Sequence, residues 1–205
     1  MKIILDQIGR RFNREWIFRK VNYSFELGNS YAILGANGSG KSTLLQVISG
    51  SLTSSEGKVN YFRDDIPLDI ENVFHELSFA APYLELIEEF TLSEHIDFHF
   101  QFKRYREGYD KKSVVSLLGL HQSEHKALKN FSSGMKQRVK LALAFCSDTK
   151  ILLLDEPVSN LDKQGVEWYL SLIEQFSSDR LVIVCSNQQQ EYGFCDERIN
   201  VEDFK

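Results

Sequence analysis

The stretch Gly35-Ala36-Asn37-Gly38-Ser39-Gly40-Lys41-Ser42-Thr43 restricts the folds open to this chain more than any other feature. It satisfies the pattern G-x-x-x-x-G-K-[ST], a glycine loop that wraps phosphate. The apolar run Tyr31-Ala32-Ile33-Leu34 before it predicts a buried strand. After it, Ser42 to Ser49 carries Leu44, Leu45, Val47 and Ile48 on a helical face closed by Gly50. Strand, loop and helix in this order set a helix start, with its unpaired N–H groups and partial positive charge, against an anion. The implied ligand is a nucleoside triphosphate. Main-chain amides from Asn37 through Gly38, Ser39 and Gly40 to Thr43 would hold the phosphates, with Gly35 opening the loop. The Lys41 ammonium would bridge the β and γ groups, and the Ser42 hydroxyl would bind magnesium.

A second group of residues extends this chemistry. Ile151-Leu152-Leu153-Leu154-Asp155-Glu156-Pro157 ends a buried strand on two acids, at the edge where open α/β sheets bind ligands. Asp155 is placed to take Mg2+ and Glu156 to orient or deprotonate an attacking water. Taken alone, the same Asp-Glu-Pro could simply open a turn. Phe131-Ser132-Ser133-Gly134-Met135-Lys136-Gln137-Arg138 opens an apolar helix with small residues and so offers a second anion-binding helix start, although taken alone it reads first as an ordinary serine N-cap.

The remaining texture gives the fold class. Ile3 to Ile8, Glu15 to Phe18 and the period-two set Val21, Tyr23, Phe25 predict an antiparallel β layer before the loop. Helical spacing from Phe90 to Asn130 (Leu92, Ile96, Phe100, then Val114, Leu117, Leu118, Leu120) predicts an inserted helical subdomain, placed at about 90–145. Leu181-Val182-Ile183-Val184 repeats the continuous apolar pattern of Ile151–Leu154, with a helix carrying Val166, Tyr169, Leu170, Ile173 and Phe176 between them. That is the mark of parallel strands buried on both faces. The expectation is one α/β domain over 1–205, a P-loop NTPase core with a mostly parallel sheet.

The order GANGSGKST, FSSGMKQRV, ILLLDEP and Ser159-Asn160-Leu161-Asp162 resembles the ATP-binding cassette (ABC) ATPases over nearly the whole chain. The resemblance implies ATP and Mg2+ as cofactors and a head-to-tail pair of cassettes, identical or not. In that pair Ser132, Ser133 and Gly134 of one chain close over ATP held by the P-loop of the other. It implies a separate membrane-spanning permease as partner, and a cytoplasmic protein peripheral on the inner face of the membrane. Phe12 is the candidate to stack on adenine, with Trp16 its competitor. Tyr83, Leu84, Leu86, Ile87 and Phe90 are candidates to line a groove for a permease helix.

There are departures from the family. Ser133 stands where a second glycine is usual and Met135 where a glutamine is usual. Ser78 to Pro82 lacks the magnesium-sensing glutamine, and Asn187 replaces the switch histidine. Asparagine can hydrogen-bond a γ-phosphate but carries no positive charge, so slow hydrolysis is expected. A soluble regulatory or scaffold ATPase that uses ATP as a dimerisation switch, and a metabolic kinase, are the rival readings. The kinase leaves the Ser132–Gly134 motif without a purpose.

Composition bounds the partners. Over 205 residues, a net charge of −5 supplies no basic field, so no nucleic acid is expected. No apolar run is long enough to span a bilayer, and Asp6 interrupts the first one before it could serve as a signal peptide. The three cysteines, Cys146, Cys185 and Cys195, lack C-x-x-C spacing and read as packed, reduced thiols. His95 with His99, and His121 with His125, have the i, i+4 spacing of helical metal ligands, but no third ligand lies nearby. Phe98, Phe100, Phe102, Tyr105 and Tyr109 are expected in the subdomain core.

Overall fold

The computed structural model describes residues 1–205. The first half of the chain runs β1 (Lys2–Phe12), β2 (Glu15–Glu26), β3 (Ser30–Leu34), α1 (Lys41–Ile48), β4 (Glu56–Arg63), β5 (Ile66–Leu68), α2 (Ile70–Glu76) and β6 (Leu77–Ala80). The second half continues α3 (Leu92–Phe102), α4 (Lys111–Leu118), α5 (Ser133–Cys146), β7 (Ile151–Asp155), α6 (Lys163–Phe176), β8 (Leu181–Cys185), α7 (Gln189–Tyr192) and β9 (Glu197–Asn200).

Two sheets form. One has the order β2-β1-β4-β5 and is antiparallel, built on a tight β1–β2 hairpin in which Asn13 takes the left-handed conformation that asparagine tolerates (φ 54). The other, β6-β7-β8-β3-β9, is parallel throughout. Its central strands explain the unbroken apolar runs. Ile151 and Leu153 of β7 face the core shared with α1 and the antiparallel layer, whereas Leu152 and Leu154 face the core under α5 and α6. With no polar face permitted, each such leucine contributes roughly 1.5–3 kcal/mol by burial.

A third core lies in the helical region, where Leu92 and Ile96 of α3, Val114, Val115 and Leu118 of α4, and Val139, Ala142 and Leu143 of α5 meet. Helix α5 also gives Leu141, Ala144 and Phe145 to the sheet core, so it joins the two bodies. Phe100, Tyr105 and Tyr109 pack on the helical core as expected. Phe98 and Phe102 do not. Both are exposed, because residues 98 and 102 lie on the side of α3 that turns away from α4.

Other sequence expectations are corrected. Leu170 is exposed while Leu172 is buried, since 172, one turn from 169 and 176, keeps the helical phase that 170 breaks. His121 lies in a 3-10 turn that ends at Ser123, so it shares no α-helical face with His125. His95 and His99 do share α3, where His95 is buried and His99 Nε2 lies 3.0 Å from Ser147 Oγ. All three cysteines are buried and unbridged, and burial pushes the Cys146 thiol up to about 12. No helix is long and apolar enough to cross a membrane.

Candidate nucleotide site

Parallel strands deliver their following loops to one edge. At that edge β3 leads into the glycine loop, β7 into Asp155-Glu156, β8 into Ser186-Asn187, and β6 into Ala81-Pro82-Tyr83. Because β8 lies between β3 and β7, the Asn187 segment emerges between the glycine loop and the acids.

Within the loop, Lys41 is buried and its Nζ donates to the carbonyls of Gly35 (2.8 Å) and Ala36 (3.1 Å), so the ammonium is folded into the ring of the loop. Gly40 starts α1 with φ 108, and a Cβ there would sit 2.3 Å from Ile17 Cγ2 of β2. Backbone angle and lack of space both require glycine. The Ser39 hydroxyl is buried with no hydrogen-bond partner. Beyond β9 the chain folds back onto the loop, where Glu202 accepts from Ala36 N–H (3.0 Å) and Lys205 Nζ donates to the Ser39 carbonyl (2.8 Å).

Asp155 is 1% exposed, and neither of its carboxylate oxygens has a hydrogen-bond partner. Burial holds its carboxyl above the usual range, while the Ser42 and Tyr83 hydroxyls that face it, and the Lys41 charge, work against that rise. A buried carboxylate left this way is costly unless a cation meets it. Glu156 next to it is exposed and left-handed (φ 41), pinned by its N–H to the Cys185 carbonyl (2.9 Å). A non-glycine residue in this region stores on the order of 1–3 kcal/mol, and such strain clusters at functional sites. Asn187 Nδ2 donates to Asn37 Oδ1 (2.7 Å), tying the β8 loop to the glycine loop.

Ser132 caps α5, its Oγ accepting from Met135 N–H (3.2 Å), and its own side chain and that of Ser133 are exposed. Gly134 lies against the loop after the acids. A Cβ on it would be 2.8 Å from the Asn160 carbonyl oxygen. None of Ser132, Ser133 and Gly134 hydrogen-bonds to the glycine loop of its own chain. Gln137, unremarked in the sequence, is buried and donates to the Pro157 carbonyl (2.9 Å). Both Phe12 and Trp16 lie at the hairpin end. Trp16 has the Arg11 and Arg19 guanidiniums at 5.5 and 4.1 Å from its ring centre, whereas Phe12 is half exposed with only Arg10 over it, at 4.6 Å.

A groove of about 700 Å3 separates the sheet core from the helical region. Leu84, Leu86 and Ile87 line it, together with Ile70 and Phe74 of α2 and Phe98 and Phe102 of α3. Two of the residues expected there point elsewhere. Phe90 packs edge-on against His95 and Phe98, and Tyr83 turns its hydroxyl toward Gln46 and Asp155.

The family model for ABC transporters matches residues 18–159. This chain belongs to the ABC transporter family. The cassette is 33% identical to the energy-coupling factor transporter ATP-binding protein EcfA1 of Thermotoga maritima over 199 residues, covering 94% of this chain and 74% of that protein. It is 28% identical to the mouse retinal-specific phospholipid-transporting ATPase ABCA4, of which it spans 8%. In fold the cassette is similar to the dimeric ABC transporter cassette MJ0796, with a TM-score of 0.83 at 24% identity, covering 97% and 94% of the two chains.

Proposed function

We propose that this cassette is the ATP-binding and ATP-hydrolysing subunit of a transporter, working as a pair of cassettes on a separate membrane-spanning permease. The observation that carries the reading is Asp155, a buried carboxylate with both oxygens unbonded, at the edge where the glycine loop and the Asn187 segment also emerge. That donor set fits a divalent cation, and Ser42 and Asp155 are the residues that would hold Mg2+. When bound, the ion supplies positive charge at the phosphate oxygens.

The rest falls to the chain itself. The amides of Asn37 to Thr43 and the Lys41 ammonium bind the phosphates. Glu156, held by its strained backbone at the end of β7, orients the attacking water and takes its proton. Asn187 offers the γ-phosphate an uncharged donor. Phe12, with one ring face covered by Arg10, offers the other to adenine, while the guanidiniums around Trp16 leave it less room. The exposed Ser132, Ser133 and Gly134 start of α5, unused within its own chain, serves the nucleotide of the partner cassette. The apolar groove takes a cytoplasmic helix of the permease, which places the cassette at the inner membrane face.

Calorimetry with Mg-ATP tests the site. Wild type is expected to release heat, Lys41→Ala to bind at least about tenfold more weakly, and Glu156→Gln to bind as wild type while phosphate release falls about a hundredfold. No heat from wild type, or an unaltered Lys41→Ala, overturns the reading. Charged residues at Leu86 and Ile87 are expected to abolish co-purification with a permease from solubilised membranes. Their failure to do so, in folded protein, removes the groove from the proposal.

A further inference from the structure

Glu191 stands out among the groups that this account leaves without a task. Its side chain is in α7 and has no exposed surface, yet no Lys or Arg lies within ion-pair distance of it. An isolated buried carboxylate costs several kcal/mol unless hydrogen bonds compensate it. Both of its oxygens are used, and each reaches a different loop of the site. Oε1 accepts from the Val158 N–H (2.8 Å), two residues beyond Glu156. Oε2 accepts from the hydroxyl of Ser186, the residue before Asn187.

The anchor itself is fixed. The Tyr169 hydroxyl, fully buried in α6, donates to the Glu191 carbonyl (2.9 Å). Ser186 is equally buried, and its Oγ accepts from the Gln188 N–H (2.8 Å), so the hydroxyl proton is directed to the carboxylate. Where the paired ends of β7 and β8 are joined by the Glu156 N–H to the Cys185 carbonyl (2.9 Å), this one side chain adds a second link farther out, between the segment carrying Glu156 and the segment carrying Asn187.

We propose that Glu191 is a positioning residue for hydrolysis, locking the Glu156 and Asn187 loops into one unit so that the water-orienting carboxylate and the γ-phosphate contact keep a fixed separation. This rests on the roles proposed for Glu156 and Asn187. An error of about 1 Å in such a spacing is enough to cost roughly a hundredfold in rate, whereas the glycine loop meets the Asn187 side chain only through the Asn37 side chain and holds phosphate with its main-chain amides.

The test compares single-turnover phosphate release and fluorescent ATP-analogue binding in wild type, Glu156→Gln, Glu191→Ala, Glu191→Gln and Ser186→Ala. Glu191→Ala is expected to lower the hydrolysis rate about 30- to 100-fold while the nucleotide Kd stays within about threefold. Glu191→Gln is expected to restore the rate to within about threefold of wild type, because its amide can still accept from Val158 and can donate to Ser186. Ser186→Ala removes one of the two ties with little change in volume. It is expected to lose about tenfold in rate at unchanged Kd, which keeps the proposal open to test if Glu191→Ala does not fold.

Wild-type rates in Glu191→Ala and Ser186→Ala overturn the inference, as does an equal loss in Glu191→Ala and Glu191→Gln, or a Kd that weakens in step with the rate. A Glu156→Gln variant that hydrolyses normally overturns the assignment of Glu156 instead, so the two failures are distinguishable.

Discussion

Asn187 and Asn37 meet as a pair of side-chain amides, 2.7 Å apart, where an imidazole is usual on one side. An amide can donate to a phosphate oxygen, but it adds no charge as negative charge develops there. Asn187→His is therefore expected to raise turnover roughly tenfold and to make it depend on pH between about 5.5 and 7.5, a limb absent from wild type. Phosphate release measured across that range decides it, and a flat, unaccelerated variant removes Asn187 from the reaction. At this scale the sequence is informative where ordinary residues stand in a fixed pattern, as with Lys41, Ser42, Asp155 and Glu156. It is silent on Glu191 and Gln137, an ordinary acid and an ordinary amide whose importance comes from the backbone groups that the fold sets beside them. The left-handed backbone of Glu156 likewise has no signature, since glutamate is not a residue that favours it.

Among the elements, those with both faces buried were the readable ones. Strands β3, β7 and β8 are continuous apolar runs because cores press on each side of them. By contrast β4 carries Lys58 and Asn60 within a half-exposed pattern, and β9 is Glu-Arg-Ile-Asn with one buried residue, so neither announces itself. In helix α2 only Val73 is buried; its Ile70 and Phe74 look like core residues but face the groove. The start of α5 combines both kinds of signal. Its serine cap satisfies one unpaired amide, and Ser132→Ala is expected to lower unfolding stability by about 1 kcal/mol at unchanged denaturant m-value. Urea melts check this, and a loss beyond about 2 kcal/mol shows that Ser132 does more than cap.

At the level of the whole molecule, the helical region and the sheet core share α5, so acid sensitivity in one is felt by both. His99 lies close to that helix through Ser147. Burial first, and then the charges of Lys103 and His95, bring its pKa down to about 4 from 6.5. The unfolded chain therefore binds the proton more readily between these values, and folding stability is full above about pH 6.5 and falls as the pH drops toward 4. The shift corresponds to roughly 3 kcal/mol at most. His99→Gln is expected to flatten the loss of stability between pH 6.5 and 4, as read by urea melts at several pH values, and an unchanged slope assigns it to other groups. The order of apolar patterns predicted strands buried on both faces and an inserted helical region, but not the sharing of α5 between cores, since a helix apolar on two sides resembles one that is buried in a single core. One packing detail then gains a mechanical meaning. Because the Asn160 carbonyl fills the space where a side chain on Gly134 would stand, and Gln137 grips Pro157, any tilt of α5 drives the turn beyond the acids in the same direction. Helix α5 thus gives the helical region a direct connection to the turn that follows Asp155 and Glu156, made by contacts that lie outside the sheet.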